Sequence, residues 1–409
     1  MSELTAPVSE TPRSLFIVEE FSCSPQAWGG VQISIRNLAA GLARDGGVTV
    51  LAPARLLPPL PRYRDHRQAS QQEAAENRVY APPEGVRVLR PKYLHLPILW
   101  HVTEPLQLLL IGLWVGLVQA GRAQIIHGHR VYPMGLLAVM LGACLRRPSV
   151  VSVYGSDVPT ELLYTTRSVQ FRTKAALRWA KRVVGVSRDL VERAAAAGMP
   201  PERGRFVPSG VDLERFAPRA AADARRRVGL PGDRRVLLCA SRFLPIKGHA
   251  LLVEAFRRLC ARRDDVILVL TGDGYVRPEI EAAVRDHDLG DRVRFAGNVT
   301  RDEIPLYVAA CDVLVLPSKN EGMPLCVLEA FACGRPVVCT RVGGTPEVVS
   351  DERYGILVPP YDPDALCEGL DVALAREWDA AALRARAEEF GWPRIVERLR
   401  EVYREVAGG

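Results

Sequence analysis

The chain is 409 residues long, 48% apolar and 25% charged, with a formal net charge of +7. That is a globular composition in a chain too long for one ordinary core, so two domains are expected. Residues 1–211 hold 25 Lys and Arg against 15 Asp and Glu, and the rest 29 against 32, so an anionic partner or membrane surface suits the first half, as does a merely Arg-rich solvated surface.

The opening residues are polar and lack the basic-then-apolar order of a secretory signal. Leu15-Phe16-Ile17-Val18 reads as the first strand. A loop from Ser22 to Trp28 and the pair Gly29-Gly30 lead into a helix with Ile35, Leu38, Ala39 and Leu42 at helical spacing. A Gly pair between strand and helix lets a backbone approach a phosphate, though such pairs also serve as plain turns. Residues 53–84, rich in Pro, Gln and Arg, read as a long surface loop. From Tyr93 to Val118 an apolar segment is interrupted by Pro97, His101, Glu104 and Pro105, and a core helix is expected to follow. Its longest apolar run is too short for a bilayer, which needs about 20 residues. Ile125-Ile126-His127-Gly128-His129 ends a strand in two histidines, at the edge where open α/β sheets place ligands. No carboxylate or cysteine neighbours complete a metal site there. Val150-Val151-Ser152-Val153 is another buried strand, leading to Tyr154-Gly155-Ser156-Asp157, and Lys181 to Ser187 contains the last clear strand of this half.

Pro208-Ser209-Gly210-Val211 has the turn chemistry of a hinge. Beyond it, expected strands at 236–240, 266–271, 292–296, 312–316, 336–339 and 356–358 alternate with helical stretches, which specifies a doubly wound parallel sheet. The first run delivers Arg242 and Lys247, an arginine fork and one of five lysines in the chain, a pair suited to a diphosphate. Gly272-Asp273-Gly274 is half of a G-x-G-x-x-G with Arg277 at the last glycine position, weak evidence for NAD. The string Asp286-His287-Asp288 falls late in a helix, and no metal is expected there. The run 312–316 leads through Ser318-Lys319-Asn320-Glu321-Gly322 into a helix opened by Pro324 and closed at Gly334. Its start offers free N–H groups to an anion. Glu321 and Glu329 bracket that start, up to about 12 Å apart along a helix axis. A pair flanking one bond needs about 5–9.5 Å. The spacing suits a long ligand with a hydroxyl at each end, such as a nucleotide sugar, and also two solvated helix charges.

Glu321-Gly322-Met323-Pro324-Leu325, followed by Leu328-Glu329-Ala330, resembles the E-G-x-P-L-x-x-x-E-A signature of the retaining glycosyltransferases of family 4. The resemblance covers nearly the whole chain: Gly29-Gly30, His127-Gly128-His129, Arg242 with Lys247, Gly272-Asp273-Gly274, Phe295-Ala296-Gly297-Asn298-Val299, and the final helix from Trp392. In the family's interdomain crossover, Ser209 replaces the usual Asn. The resemblance implies an α/β GT-B fold, two doubly wound Rossmann-like domains facing a central cleft. Residues 1–211 would take the acceptor, 212–391 the donor, and 392–409 would pack back on the first domain.

By that resemblance Arg242 and Lys247 neutralise the departing diphosphate, and Glu321 and Asp157 complete the catalytic set, Glu321 holding sugar hydroxyls. Gly29, Gly30, Gly272, Asp273, Gly297, Val299, Gly322, Met323, Pro324, Leu325 and Glu329 would line the donor, Glu329 at the ribose. His127, His129 and Tyr154 would face the acceptor. Tyr154 stands where the family usually has histidine, and a phenol of pKa near 10 is a poor base near neutrality. That departure leaves Asp157 as the polar group of its loop. The implied activity moves a hexose-type sugar from a nucleotide-diphosphate donor to a hydroxyl of a glycan or lipid-linked acceptor, with retention and with no metal or other cofactor. Cell-surface polysaccharide or glycolipid assembly is the implied setting.

Nine cysteines without a C-x-x-C pair suit a cytoplasmic protein. Arg62, Arg64, Arg67, Arg90 and Lys92, beside the apolar segment from Leu94, suit loose contact with an anionic membrane surface, and no nucleic acid is expected. Two other classes stay open. A nucleotide-sugar epimerase shares the fold but as a rule lacks the signature, and a non-catalytic nucleotide-sugar-binding protein is favoured by Tyr154.

Overall fold

The computed structural model describes residues 11–19, 21, 29–56, 81–94, 100–116, 123–155 and 167–408. The chain forms two compact units. Unit 1 comprises Met1–Val186, Leu190–Val207 and Ile395–Gly409, and unit 2 comprises Ser187–Asp189 and Pro208–Arg394.

Unit 1 holds β1 (Ser14–Ile17), β2 (Val48–Leu51), β3 (Ala54–Leu56), β4 (Val86–Leu89), β5 (Lys92–Leu94), β6 (Ile125–His129), β7 (Ser149–Val153), β8 (Arg182–Gly185) and β9 (Gly204–Phe206). Seven of these form one parallel sheet in the order β4-β2-β1-β6-β7-β8-β9, and β3 pairs with β5. The inner strands β1, β6 and β7 are buried at every position, as a sheet covered on both faces requires. Helices α1 (Gly30–Ala43), α2 (Trp100–Trp114), α3 (Leu136–Leu145) and α4 (Arg167–Trp179) belong to this unit, and α5 (Arg188–Ala196) follows β8. Of the expected 53–84 loop, residues 54–56 are strand β3, and 57–80 lie outside the described residues.

Helix α2 corrects the expectation for the broken apolar segment. It begins at Trp100, ahead of Pro105 instead of after it. Nor is it wholly a core helix. Leu108 is buried, while Leu106, Leu110 and Trp114 are 56%, 58% and 53% exposed. Their spacing of four sets them along one outward stripe.

In unit 2, β10 (Arg235–Ala240), β11 (Val266–Thr271), β12 (Val293–Gly297), β13 (Val313–Leu316), β14 (Val337–Thr340) and β15 (Gly355–Val358) form a parallel sheet in the order β12-β11-β10-β13-β14-β15. The order reverses direction beside β10, so the loops leaving β10 and β13 emerge as neighbours, the position where such sheets bind ligands. Helices α6 (Ala221–Val228), α7 (His249–Cys260), α8 (Arg277–Asp286), α9 (Ile304–Ala310), α10 (Leu325–Ala332), α11 (Thr345–Val348), α12 (Pro363–Ala375) and α13 (Ala380–Glu388) connect or follow these strands. Leu237, Leu252, Phe256, Leu268, Val315 and Leu370 are core residues between sheet and helices.

The last helix, α14 (Trp392–Ala407), lies mostly in unit 1. Tyr403 is fully buried there. The Arg400 guanidinium donates to the Gly41 carbonyl at 2.9 Å, and Arg182 and Arg205 both bind the Glu405 carboxylate. Those two arginines hold the Glu405 carboxyl down at about 2.

Candidate active site

The site in unit 2 is built from loops at the C-terminal ends of neighbouring strands. After β10, Pro245–Lys247 makes one tight turn, in which Lys247 N–H donates to the Leu244 carbonyl at 2.9 Å. Gly248 follows with φ +72 and opens α7, and a Cβ there would overlap the Pro317 carbonyl. Only glycine lets this loop lie against the one after β13. The Lys319 N–H to Ile246 carbonyl bond, 2.7 Å, fastens the two loops. The loop after β14 closes from the other side. Gly344 N–H donates to the Glu321 carbonyl at 3.2 Å, and a Cβ on Gly343 would overlap that same oxygen.

These approaches bring Lys247 and Glu321 together. Lys247 Nζ lies 2.6 Å from Glu321 Oε1, with the side chains 23% and 9% exposed. Arg242, from the same loop as Lys247, is exposed and makes no ion pair among the described residues. His249 is stacked on Phe243, with ring centroids 4.2 Å apart, and its Nε2 is 3.3 Å from Ser241 Oγ. Burial first, and then the Lys247 charge, pull its pKa down to about 4. It is therefore neutral near pH 7, which leaves Arg242 and Lys247 as the site's cations.

Helix α10 begins at Leu325, with Pro324 as its N-cap, no side-chain cap bond and no acidic residue in the first turn. Its first N–H groups therefore lack an intrahelical partner. Gly322, Met323 and Pro324 form the turn before it. Glu329 is half-buried in the helix. Burial pushes its carboxyl up to about 7, opposed in part by Arg301. Among the described residues no side chain or N–H donates to this carboxylate, so the hydroxyl-holding role expected of it has an open acceptor.

After β11, the Gly272 N–H donates to the Gly297 carbonyl at 2.7 Å, and Asp273 Oδ1 accepts from Gly274 N–H at 2.8 Å. This places Gly272, Asp273 and Gly297 on one rim. The Arg277 guanidinium lies 5.7 Å from the Phe295 ring centroid, and Val299 is half-buried beyond β12. Sequence reasoning gave no role to Lys319, which lies 5.6 Å from the centroid of Tyr361, a residue at φ +64. The left-handed backbone of an aromatic residue is a local constraint that no sequence pattern announces.

The first-half candidates lie in unit 1. Gly29 and Gly30 open α1, and the Gln32 side chain accepts the Gly29 N–H at 3.4 Å. A Cβ on Gly29 would meet nothing within 4 Å, so packing does not require glycine there. His127 is fully buried, with Nδ1 2.7 Å from the Tyr403 hydroxyl and Nε2 2.8 Å from Ser152 Oγ. Both ring nitrogens are engaged inside unit 1. His129 stacks on it at 4.2 Å, with Nδ1 2.7 Å from the Tyr154 hydroxyl and Nε2 buried without a partner among the described residues. Burial pulls His127 down to about 3, and burial together with His127 pulls His129 well below its usual value. Both rings are neutral near pH 7. Asp157 lies outside the described residues. Among the described residues, no group of His, Cys, Asp or Glu could hold a metal.

Two doubly wound parallel sheets, the second carrying a cationic loop cluster at its strand ends, define the GT-B class. The description "Glycosyltransferase Family 4" matches residues 28–215, and "Glycosyl transferases group 1" matches 221–390. A GDP-mannose-dependent alpha-(1-6)-phosphatidylinositol monomannoside mannosyltransferase of Mycolicibacterium smegmatis is 30% identical over 383 residues, 90% of this chain and 91% of that protein. A D-inositol 3-phosphate glycosyltransferase of Saccharomonospora viridis is 39% identical over 221 residues, so the match spans about half of each protein. Among solved structures, the sucrose-phosphate synthase of Thermosynechococcus elongatus superposes with a TM-score of 0.74 at 25% identity, over 97% of this chain and 99% of that one. Anabaena HepE in complex with UDP gives 0.73 at 19% identity, over 96% and 100%. The chain belongs to the family 4 glycosyltransferases.

Proposed function

We propose that the protein transfers a hexose from a nucleoside diphosphate sugar to a hydroxyl of a glycan or lipid-linked acceptor, with retention of configuration and without a metal. The observation that carries this reading is the Lys247–Glu321 pair in unit 2, with Arg242 exposed on the same loop as Lys247 and the open N-terminal end of α10 following Glu321 in the chain. In the reaction the bond from the sugar's anomeric carbon to the diphosphate oxygen breaks, and a bond to the acceptor oxygen forms on the same face. The acceptor proton goes to the departing phosphate oxygen. Negative charge grows on the diphosphate, where Lys247, Arg242 and the free N–H groups of α10 stabilise it, commonly the largest catalytic term. Glu329 accepts the ribose hydroxyls and Glu321 those of the sugar.

The relatives narrow the acceptor. One is named for a phosphatidylinositol monomannoside and another for D-inositol 3-phosphate, so an acceptor bearing an inositol phosphate leads our list, and GDP-mannose leads the donors. Contact with an anionic membrane accords with such an acceptor. It is supported by the outward stripe Leu106, Leu110 and Trp114 and by exposed Lys92 and Leu94. On α4, Phe171 is exposed on the same helix as Lys174 and Arg178. Arg90 is engaged with the Phe21 carbonyl at 2.7 Å, and Arg62, Arg64 and Arg67 lie outside the described residues. We also place the protein in the cytoplasm, at the inner membrane face. The test is a panel of GDP- and UDP-sugars, with nucleotide release measured with and without inositol phosphates and inositol lipids. Release that depends on an acceptor supports transfer. Epimerised donor with no release favours an epimerase, and binding with neither favours a non-catalytic protein.

A further inference from the structure

Resting on the reading of unit 2 as the donor site, we propose that Glu321 is the site's built-in counter-ion. It occupies Lys247 while no nucleotide is bound, and its return weakens the hold on the nucleoside diphosphate left after transfer. The contact is 2.6 Å between side chains only 23% and 9% exposed, so the pair is shielded from the water that makes surface pairs weak. Among the described residues neither charged end has another hydrogen-bond partner. His249, which opens α7 just after the loop, is neutral and cannot take Lys247's place.

The backbone keeps the pair together. Lys247 sits in a tight turn, and the Glu321 carbonyl is held by Gly344. Only side-chain rotation can part the two charges. An arriving diphosphate must therefore share Lys247 with a carboxylate or displace it, and a carboxylate left nearby repels it. The donor compensates for this, because its sugar hydroxyls give Glu321 new partners. The product diphosphate has no sugar and brings no such partner. Glu321 thereby favours the donor over the product at the same cation.

Isothermal titration of UDP and GDP into the natural protein, Glu321→Gln, Lys247→Ala and the double variant tests this. Glu321→Gln is expected to bind the diphosphate about tenfold more tightly, at the low edge of the coupling measured for close charge pairs. That gain should vanish in the Lys247→Ala background, and product inhibition should strengthen in parallel. Glu321→Ala carries the same expectation if the Gln variant does not fold. Unchanged or weaker binding by the Glu321 variants, or tightening that persists without Lys247, overturns the proposal and leaves the transfer reading standing. If the natural protein binds neither diphosphate, both fail together.

Discussion

Glu329→Gln should make the unliganded protein more stable at pH 8 while weakening its grip on nucleotide. Burial moves this carboxyl from the usual 4.5 to about 7, so the folded protein binds the proton more tightly than the unfolded chain does. The sign follows from linkage. Below pH 4.5 the group is protonated in both states and costs nothing. Between 4.5 and 7 folding must increasingly hold it neutral, and above 7 the folded state carries a desolvated carboxylate at constant cost. At about 1.4 kcal/mol per tenfold the displacement would reach roughly 3 kcal/mol. Because the residue is only half-buried, solvent screening reduces this to about 1–2 kcal/mol. Glutamine has the same shape without the charge. Thermal unfolding of both proteins at pH 4, 5, 6, 7 and 8 should therefore show a gain that is near zero at pH 4, grows through pH 5 and 6, and is full by pH 8. Titration with UDP or GDP should show weaker binding by the variant, since an amide accepts hydroxyl hydrogen bonds less strongly than a carboxylate. A stability difference independent of pH, or a loss at pH 8, would refute the reasoning.

Lys247→Ala should lower turnover by about 10²–10³, the range for removing one preorganised charge at a transition state; near-normal turnover in a folded variant would remove Lys247 from the mechanism. Activity should survive EDTA, and loss on chelation restored by magnesium or manganese would show metal chemistry. Gly343→Ala drives a methyl into the Glu321 carbonyl and should cut turnover roughly 10²-fold by displacing the loop, as steady-state kinetics would show. Flotation with anionic vesicles should recover the protein at low salt and release it at high salt, and Leu110→Ser with Trp114→Ser should weaken recovery; equal recovery on neutral lipid would leave the α2 stripe without this role.

The second half of the fold is legible because most of its strands are apolar runs, β12 with its exposed Arg294 being the exception. The runs at 236–240 and 266–271 became Arg235–Ala240 and Val266–Thr271. The first half was less so. In Val86–Leu89, the edge strand β4, exposed Arg87 breaks the apolar run. Gly204–Phe206 has no apolar run at all, and it is a strand because it pairs with β8 from Val183 to Gly185. Pro105 reads as a helix breaker, yet α2 carries it as its sixth residue. Which face of α2 meets the core is a tertiary fact. The apolar residues alone named a buried helix, and the sheet left one stripe of it outside.

The site shows the same division between chemistry and neighbourhood. Residue types and spacing picked out Lys247, Glu321 and Glu329. That Lys247 and Glu321 touch across 74 positions depends on β10 and β13 being hydrogen-bonded neighbours, which no local pattern states. Tyr154 is the sharper case. Read alone, it was a histidine lost from a catalytic loop and the feature favouring a protein that binds without reacting. In the structure its hydroxyl lies 2.7 Å from His129 Nδ1, in a group that also contains His127, Ser152 and Tyr403, the last contributed 276 residues away from His127. A histidine at 154 would set a third imidazole beside two that burial already keeps neutral. The phenol meets that nitrogen without adding another imidazole that could take up a proton. The substitution is therefore accounted for by the packing of unit 1.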